Sequence, residues 1–208
     1  KTVVNWLSDK EATKNEKQYA ENESADANCW HGKNNSNIRN PDSPNKAIDN
    51  NPDTLWHSAW NSDSEYSNCK NHEHYLEVTL KKESTINGFE YTGRKNADAG
   101  VLKKYRAEFF DSEGNLIGST GSKTRSTGIT RDNYSTIGKV TLSFGQTFTE
   151  VSKVRIYFSE TLDTDGFASC VQINFFYDPY AVYPEITHMT ASEFAGHIDD
   201  IGSEYDMI

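Results

Sequence analysis

The chain has 208 residues, with 21 Lys or Arg against 31 Asp or Glu, giving a formal net charge of -10. That acidic balance repels nucleic-acid phosphates and anionic lipid surfaces, so neither is an expected partner. The apolar runs are a handful of residues each, far below the roughly 20 that span a bilayer. No basic-then-apolar leader opens the sequence, as expected of a mature or excised chain without membrane insertion. The length suits one all-β domain with extensions at its ends.

In chain order, residues 9–27 are rich in Ala, Glu, Lys and Gln, with almost no apolar stripe, which predicts a solvated or frayed helix or a loop. Residues 28–53 turn to Asn, Ser, Asp, Pro and Gly, whose side chains satisfy local backbone groups, and read as a long structured loop. Within KAIDNNPDTLWHSAW, residues 46–60, Asp49, Asn51 and Thr54 lie close together. Their oxygens suit one hard cation, but taken alone they read first as an ordinary Asx-rich turn.

Short β-type runs follow: YLEVTL at 75–80, INGFEYTG at 86–93 and KKYRAEFFD at 103–111, the last alternating outward charge with inward apolar groups. The turn SEGN leads into LIGST at 116–120, a hairpin signal. KVTLSF at 139–144, KVRIYF at 153–158 and CVQINFFY at 170–177 complete the set. Antiparallel strands without βαβ crossovers predict a two-sheet sandwich whose binding loops gather at one end.

Beyond Tyr177 the chain carries many acids and no Lys or Arg, marking an acidic tail or linker over 179–208. There Thr190 and Glu193 form a capping-box pattern ahead of Phe194, Ile198 and Ile201, which predicts a short helix. Residues 1–39 are expected to pack on or precede the sandwich, which is placed at 40–178.

Three cysteines, Cys29, Cys69 and Cys170, lack the short spacing of a zinc site. In an oxidising compartment Cys29 and Cys69 can pair, leaving Cys170 as a small buried hydrophobe; a fully reduced set is the other reading. Sequons at Asn22, Asn34 and Asn133 read as ordinary surface. His72 and His74 have no third metal ligand at a telling distance and read as a solvated loop, while Asp163 and Asp165 read as a polar turn.

Taken together and in order, AIDNNPDTLWHSAW, HYLEVTL, INGFEYTGRK, LKKYRAEFFDSEGN and VQINFFYD resemble the discoidin, or coagulation factor 5/8 type C, family, over roughly residues 40–178. The likeness is strongest to its bacterial galactose-binding-like carbohydrate-binding modules. It implies a jelly-roll sandwich of about eight antiparallel strands and a structural Ca2+. The family's metal loop falls on Asp49, Asn50, Asn51 and Thr54, with a carbonyl from Lys46 and Gln172 where the family has an acid. Asn50 stands in for the usual glycine, and the uncharged Gln172 implies weaker calcium binding. The family's sugar site falls on His57, Trp60 and Arg94. Its additional Asn is replaced by Ala99, with Asn96 or Asp98 as the substitutes. An aromatic face suits the C–H patch of a sugar ring, and guanidinium and imidazole suit adjacent hydroxyls.

The resemblance therefore implies a non-catalytic, extracellular or cell-surface bacterial module. It would bind galactose-type terminal sugars of glycans and direct an attached enzyme or adhesin to them. The alternative is a discoidin adhesion module that meets a protein or cell surface, distinguished by whether His57, Trp60 and Arg94 converge on one pocket. Trp30, His31, Tyr66 and Tyr134 are further loop residues that packing alone explains. A small hydrolase would need two carboxylates across a cleft, for which no motif speaks.

Overall fold

A computed structural model describes residues 16–60, 66–69, 72–125, 130, 133, 135 and 138–181. The extended segments are β1 (Gln18–Tyr19), β2 (Asn22–Ala27), β3 (Trp56–His57), β4 (His74–Thr92), β5 (Leu102–Phe110), β6 (Leu116–Ser119), β7 (Lys123–Thr124), β8 (Lys139–Thr161), β9 (Ser169–Cys170) and β10 (Gln172–Tyr177). A 3-10 turn at Pro44–Ala47 and one helical turn, α1 (Tyr66–Cys69), complete the described elements. The predicted tail helix and Tyr134 lie outside the described residues.

Two strands organise everything else. Sequence reading divides 75–93 into two strands and 139–158 into two more, but the chain stays extended throughout β4 and β8. The polar stretches between the apolar runs bend without leaving the ladder: register shifts occur between Thr79 and Gly88, and Gly145 and Glu150 take positive φ of 77° and 57°. Each long strand thereby passes from one layer of a sandwich to the other, the corner being made by bulges.

One layer holds β2, the first half of β4, the second half of β8, β5, β6 and β7; the other holds β1, β10, the second half of β4 and the first half of β8. All pairings are antiparallel.

Alternation in β5 buries Leu102, Tyr105, Ala107 and Phe109 and turns Lys104, Arg106 and Glu108 outward, as the pattern predicts. Between the layers, Phe109 stacks on Phe148 at 3.7 Å, and Phe144 bridges Phe109 at 4.8 Å and Phe89 at 5.3 Å. These offset and edge contacts fill the space between two pleated faces with few voids.

Residues 18–19 and 22–27 are strands, not helix, because β1 finds β10 and β2 finds the free edge of β4. Tertiary pairing overrides local propensity there. Asn22 serves this join, its side-chain amide donating to the Ile173 carbonyl at 2.9 Å.

At the loop end, β3 and β9 form a separate two-stranded ribbon that pairs Trp56 with Cys170 and His57 with Ser169. Trp56 is fully buried, and its Nε1–H donates to the Cys29 carbonyl at 3.3 Å. Cys29 and Cys69 form a disulfide, and Cys170 is a buried free thiol.

Candidate functional site

His57, Trp60, Arg94, Ala99, Asp165 and Phe167 line one open hollow of about 390 Å3 at the ribbon end of the sandwich. Each wall has its own local cause. Pairing of β3 with β9 fixes His57, which is 3% exposed. Its Nδ1–H donates to the Ser58 carbonyl at 2.6 Å, so Nε2 is the ring's acceptor atom. Burial, together with the Arg94 charge, lowers the His57 pKa to about 4 against the stabilising Ser58 bond, and the ring is neutral at pH 7.

Trp60 meets His57 edge to face at 5.0 Å, and on its other contact His31 stacks against the indole at 3.6 Å, 14° from parallel. His31 is itself held by its backbone, its N–H donating to the His57 carbonyl and its carbonyl accepting from the Asp42 N–H. The sequence lists His31 only as loop packing. Packing it is, and its effect is to set the plane of the indole.

The loop after β8 supplies Asp165 and Phe167, neither of which was assigned to the site from sequence. Asp163 builds it. One carboxylate oxygen accepts the N–H groups of Asp165 at 3.0 Å and Phe167 at 3.1 Å. The other accepts Gly100 N–H at 2.6 Å and the Thr161 hydroxyl at 3.0 Å. An Asx residue capping four donors explains why DTDGF is a shaped loop and not merely a polar turn.

Gly100 is required where it stands. It has a φ of +75°, and a Cβ would meet the backbone of Ala168 and Ser169 at 2.5 Å. That close approach carries the loop of Arg94 and Ala99 against β9.

The predicted sugar residues do not all share this hollow. Asn96 lines a neighbouring cavity of about 330 Å3, which Arg94 also borders. Asp98 lines neither, and its carbonyl accepts the Val101 N–H within the turn.

Of the predicted metal residues, Asp49, Asn51 and Thr54 share one turn, and Gln172 of β10 reaches it. Asp49 accepts the Asn51 N–H at 2.9 Å and the Thr54 hydroxyl at 2.7 Å, and Asn51 Oδ1 accepts the Asp53 N–H. Asn50 takes a φ of 58°, the left-handed form expected of the residue replacing glycine, and its N–H donates to Gln172 Oε1 at 3.0 Å. Lys46 sits in the 3-10 turn, its ammonium bonded to Asn40 Oδ1. Among the described residues no three His, Cys, Asp or Glu cluster as a metal site; of the residues predicted for the metal, Asp49 is the one carboxylate.

His74 corrects the reading of HEH as a solvated loop: it opens β4 and is buried.

The family model for the F5/8 type C domain matches residues 31–173. The chain belongs to the F5/8 type C family. No curated protein matches it significantly. Among solved structures, this F5/8 type C domain is similar to the family 32 carbohydrate-binding module of Clostridium perfringens NanJ, in complex with galactose, at 21% identity and a TM-score of 0.54, covering 78% of this chain and 100% of that one. It is also similar to CpGH89CBM32-5 of Clostridium perfringens, in complex with GalNAc-β-1,3-galactose, at 21% identity and a TM-score of 0.56, covering 74% and 94%. A third likeness is to the family 32 module of AlyQ, in complex with 4,5-unsaturated mannuronic acid, at 17% identity and a TM-score of 0.53, covering 77% and 98%. The fold is the one these carbohydrate-binding modules share.

Proposed function

We propose that this F5/8 type C domain binds a terminal galactose-type sugar in the hollow of His57, Trp60 and Arg94 and directs an attached secreted partner to the glycan that carries it. The observation that carries the reading is the convergence of an indole, a neutral imidazole and a guanidinium on one cavity. Trp60 and Phe167 offer faces to the ring's C–H patch; His57 Nε2 accepts from a hydroxyl, and Arg94 donates to its neighbours. Asp165 adds an acceptor at the rim. The three solved neighbours named above each hold a sugar or uronate, which supports the same class of ligand here.

A hexose has about 12 non-hydrogen atoms, and roughly 0.3 kcal/mol for each corresponds to a Kd near 1 mM. Retention on a glycan surface then comes from several copies acting together. Glycan-array and calorimetric titrations test the site: Trp60→Ala and Arg94→Ala each weaken binding about tenfold or more. Unchanged binding in both variants removes the hollow from the function.

The turn of Asp49, Asn51 and Thr54 is the support of this arrangement, and its hard oxygens fit Ca2+, with Gln172 and the Lys46 carbonyl completing the set. The metal would supply a fixed positive centre that holds the turn under the site. With one carboxylate in the set its affinity is low. Thermal melts should show a Tm several degrees higher in millimolar Ca2+ than in EDTA, and coincident melts would exclude the ion.

A further inference from the structure

Where β4 changes layer, its corner and the edge strand β1 enclose an open cavity of about 240 Å3 that the single-sugar reading leaves unused. Gln18, Tyr19, Lys82, Glu83, Ser84 and Thr85 line it. Register shifts on either side of Ser84 make a bulge, and a bulge re-aims side chains out of the regular alternation. From Thr85 to Thr92, where β4 reaches the loop end, the strand runs roughly 20 Å at about 3.3 Å per residue.

Tyr19 is the informative wall. Its side chain is 51% exposed, yet the ring is fixed: the hydroxyl donates to Glu90 Oε1 at 2.8 Å, and the ring meets Phe176 edge to face at 6.0 Å. Glu90 is anchored in turn by Lys139 at 2.8 Å. An aromatic face that is held in place and still open to solvent loses little conformational freedom when a ligand covers it. The corner opposite is equally set. Ser84 Oγ donates to the Lys82 carbonyl at 3.0 Å, and Glu83 Oε1 accepts the Ser112 hydroxyl at 2.7 Å. Lys81 pairs with Glu21 at 2.9 Å, which leaves the exposed Lys82 ammonium to the cavity.

We propose that this corner is a second, independent saccharide-binding site, which takes one neutral hexose unit of a glycan on the face of Tyr19. The inference rests on the carbohydrate reading above and extends it from one site to two. The sugar's C–H patch lies on the tyrosine ring, and its hydroxyls meet the Gln18 amide, the Lys82 ammonium and the Ser84 and Thr85 hydroxyls. Lys82 and Glu83 stand on the rim together, so no net charge rewards a charged ring over a neutral one. The distance along β4 is too great for the two rings of a disaccharide to reach both places. One chain therefore holds two separate glycan branches, which raises its retention on a surface that displays many.

Amide NMR titration of the full chain to tens of millimolar sugar tests this, with methyl β-D-galactoside, methyl β-D-glucoside and methyl α-D-mannoside as probes. At least one of the three should move the amides of residues 18–20 and 82–85 saturably, on a curve separate from that of His57, Arg94 and Phe167. Tyr19→Ala should weaken binding at the corner about tenfold or more and leave the loop-end Kd unchanged. Lys82→Ala, at an exposed position, should weaken it about threefold with an unchanged Tm, which keeps the site testable even if Tyr19→Ala does not fold. Corner amides that stay still with all three sugars while the loop end responds, or corner shifts that persist unchanged in both variants, overturn the second site alone. No saturable shift at either place overturns it together with the galactose-type reading beneath it. Saturable shifts at the corner without any at the loop end overturn the loop-end reading and leave the second site standing.

Discussion

The outer face of the sheet and the loop end of the sandwich treat their charges in opposite ways. On the sheet, Arg155 bonds Glu77 and lies over the Tyr75 ring at 4.5 Å, while Arg106 bonds Glu73 and lies over Tyr157 at 3.3 Å. These groups answer one another across neighbouring strands. At the loop end, His57 is neutral, Arg94 Nε has no partner, and the aromatics stand around open space. The two surfaces thus differ in whether the hydrogen bonds of their arginines are already made. The difference is the physical argument for placing recognition at the loops.

The largest way to break the comparison is to release the loop end from its staple. The Cys29–Cys69 disulfide closes a separation of 40 residues and holds α1, whose Tyr66 approaches Phe167 at 6.2 Å. A loop of that length corresponds to about 4 kcal/mol in the chain-entropy account. Cys29→Ala with Cys69→Ala should lower stability in denaturant melts by about that order and weaken sugar binding, and unchanged binding would separate the staple from the site.

Acid is the next test. His57 and His74 both have pKa values lowered to about 4, burial being the first cause, against 6.5 when unfolded. Between those values the unfolded chain takes up protons that the folded chain refuses, so stability must fall as pH drops from 6.5 toward 4. Each histidine contributes a slope of about 1.4 kcal/mol per pH unit. Urea melts from pH 7 to 5 measure it, and His74→Gln should roughly halve it. A flat profile would mean that neither ring is refused its proton.

Asp163→Ala sharpens the contrast from within the loops. Four donors lose their acceptor, at a cost of about 2 kcal/mol, and the hollow loses the loop that presents Phe167. Chemical denaturation and sugar titration should both register it. The smallest effect belongs to the sheet: Arg106→Ala should cost under about 1 kcal/mol and leave sugar binding untouched.

Strand composition and alternation made most of the sandwich legible, because β5 buries Tyr105, Ala107 and Phe109 and β10 buries Ile173 and Phe175 as their sequences read. The joins in β4 and β8 were not legible: a charged stretch that bends within a ladder and one that turns out of it have the same composition. Nor could propensity foresee that 18–27 would be captured by free sheet edges. For the site, family order located His57, Trp60 and Arg94, which the fold brings to one hollow. Phe167 escaped because it depends on Asp163 gathering four distant or local donors, a property of three-dimensional capping. Asn96 was set beside Arg94 correctly in sequence, but the chain turns it toward the other cavity.

Because β4 and β8 each run through both layers, neither layer has a boundary at which the other could be left standing. Loosening one sheet tugs at the same two threads that hold the second. Slowly exchanging amides in the two halves of β4 should therefore become labile in concert, and the domain should melt in one cooperative step.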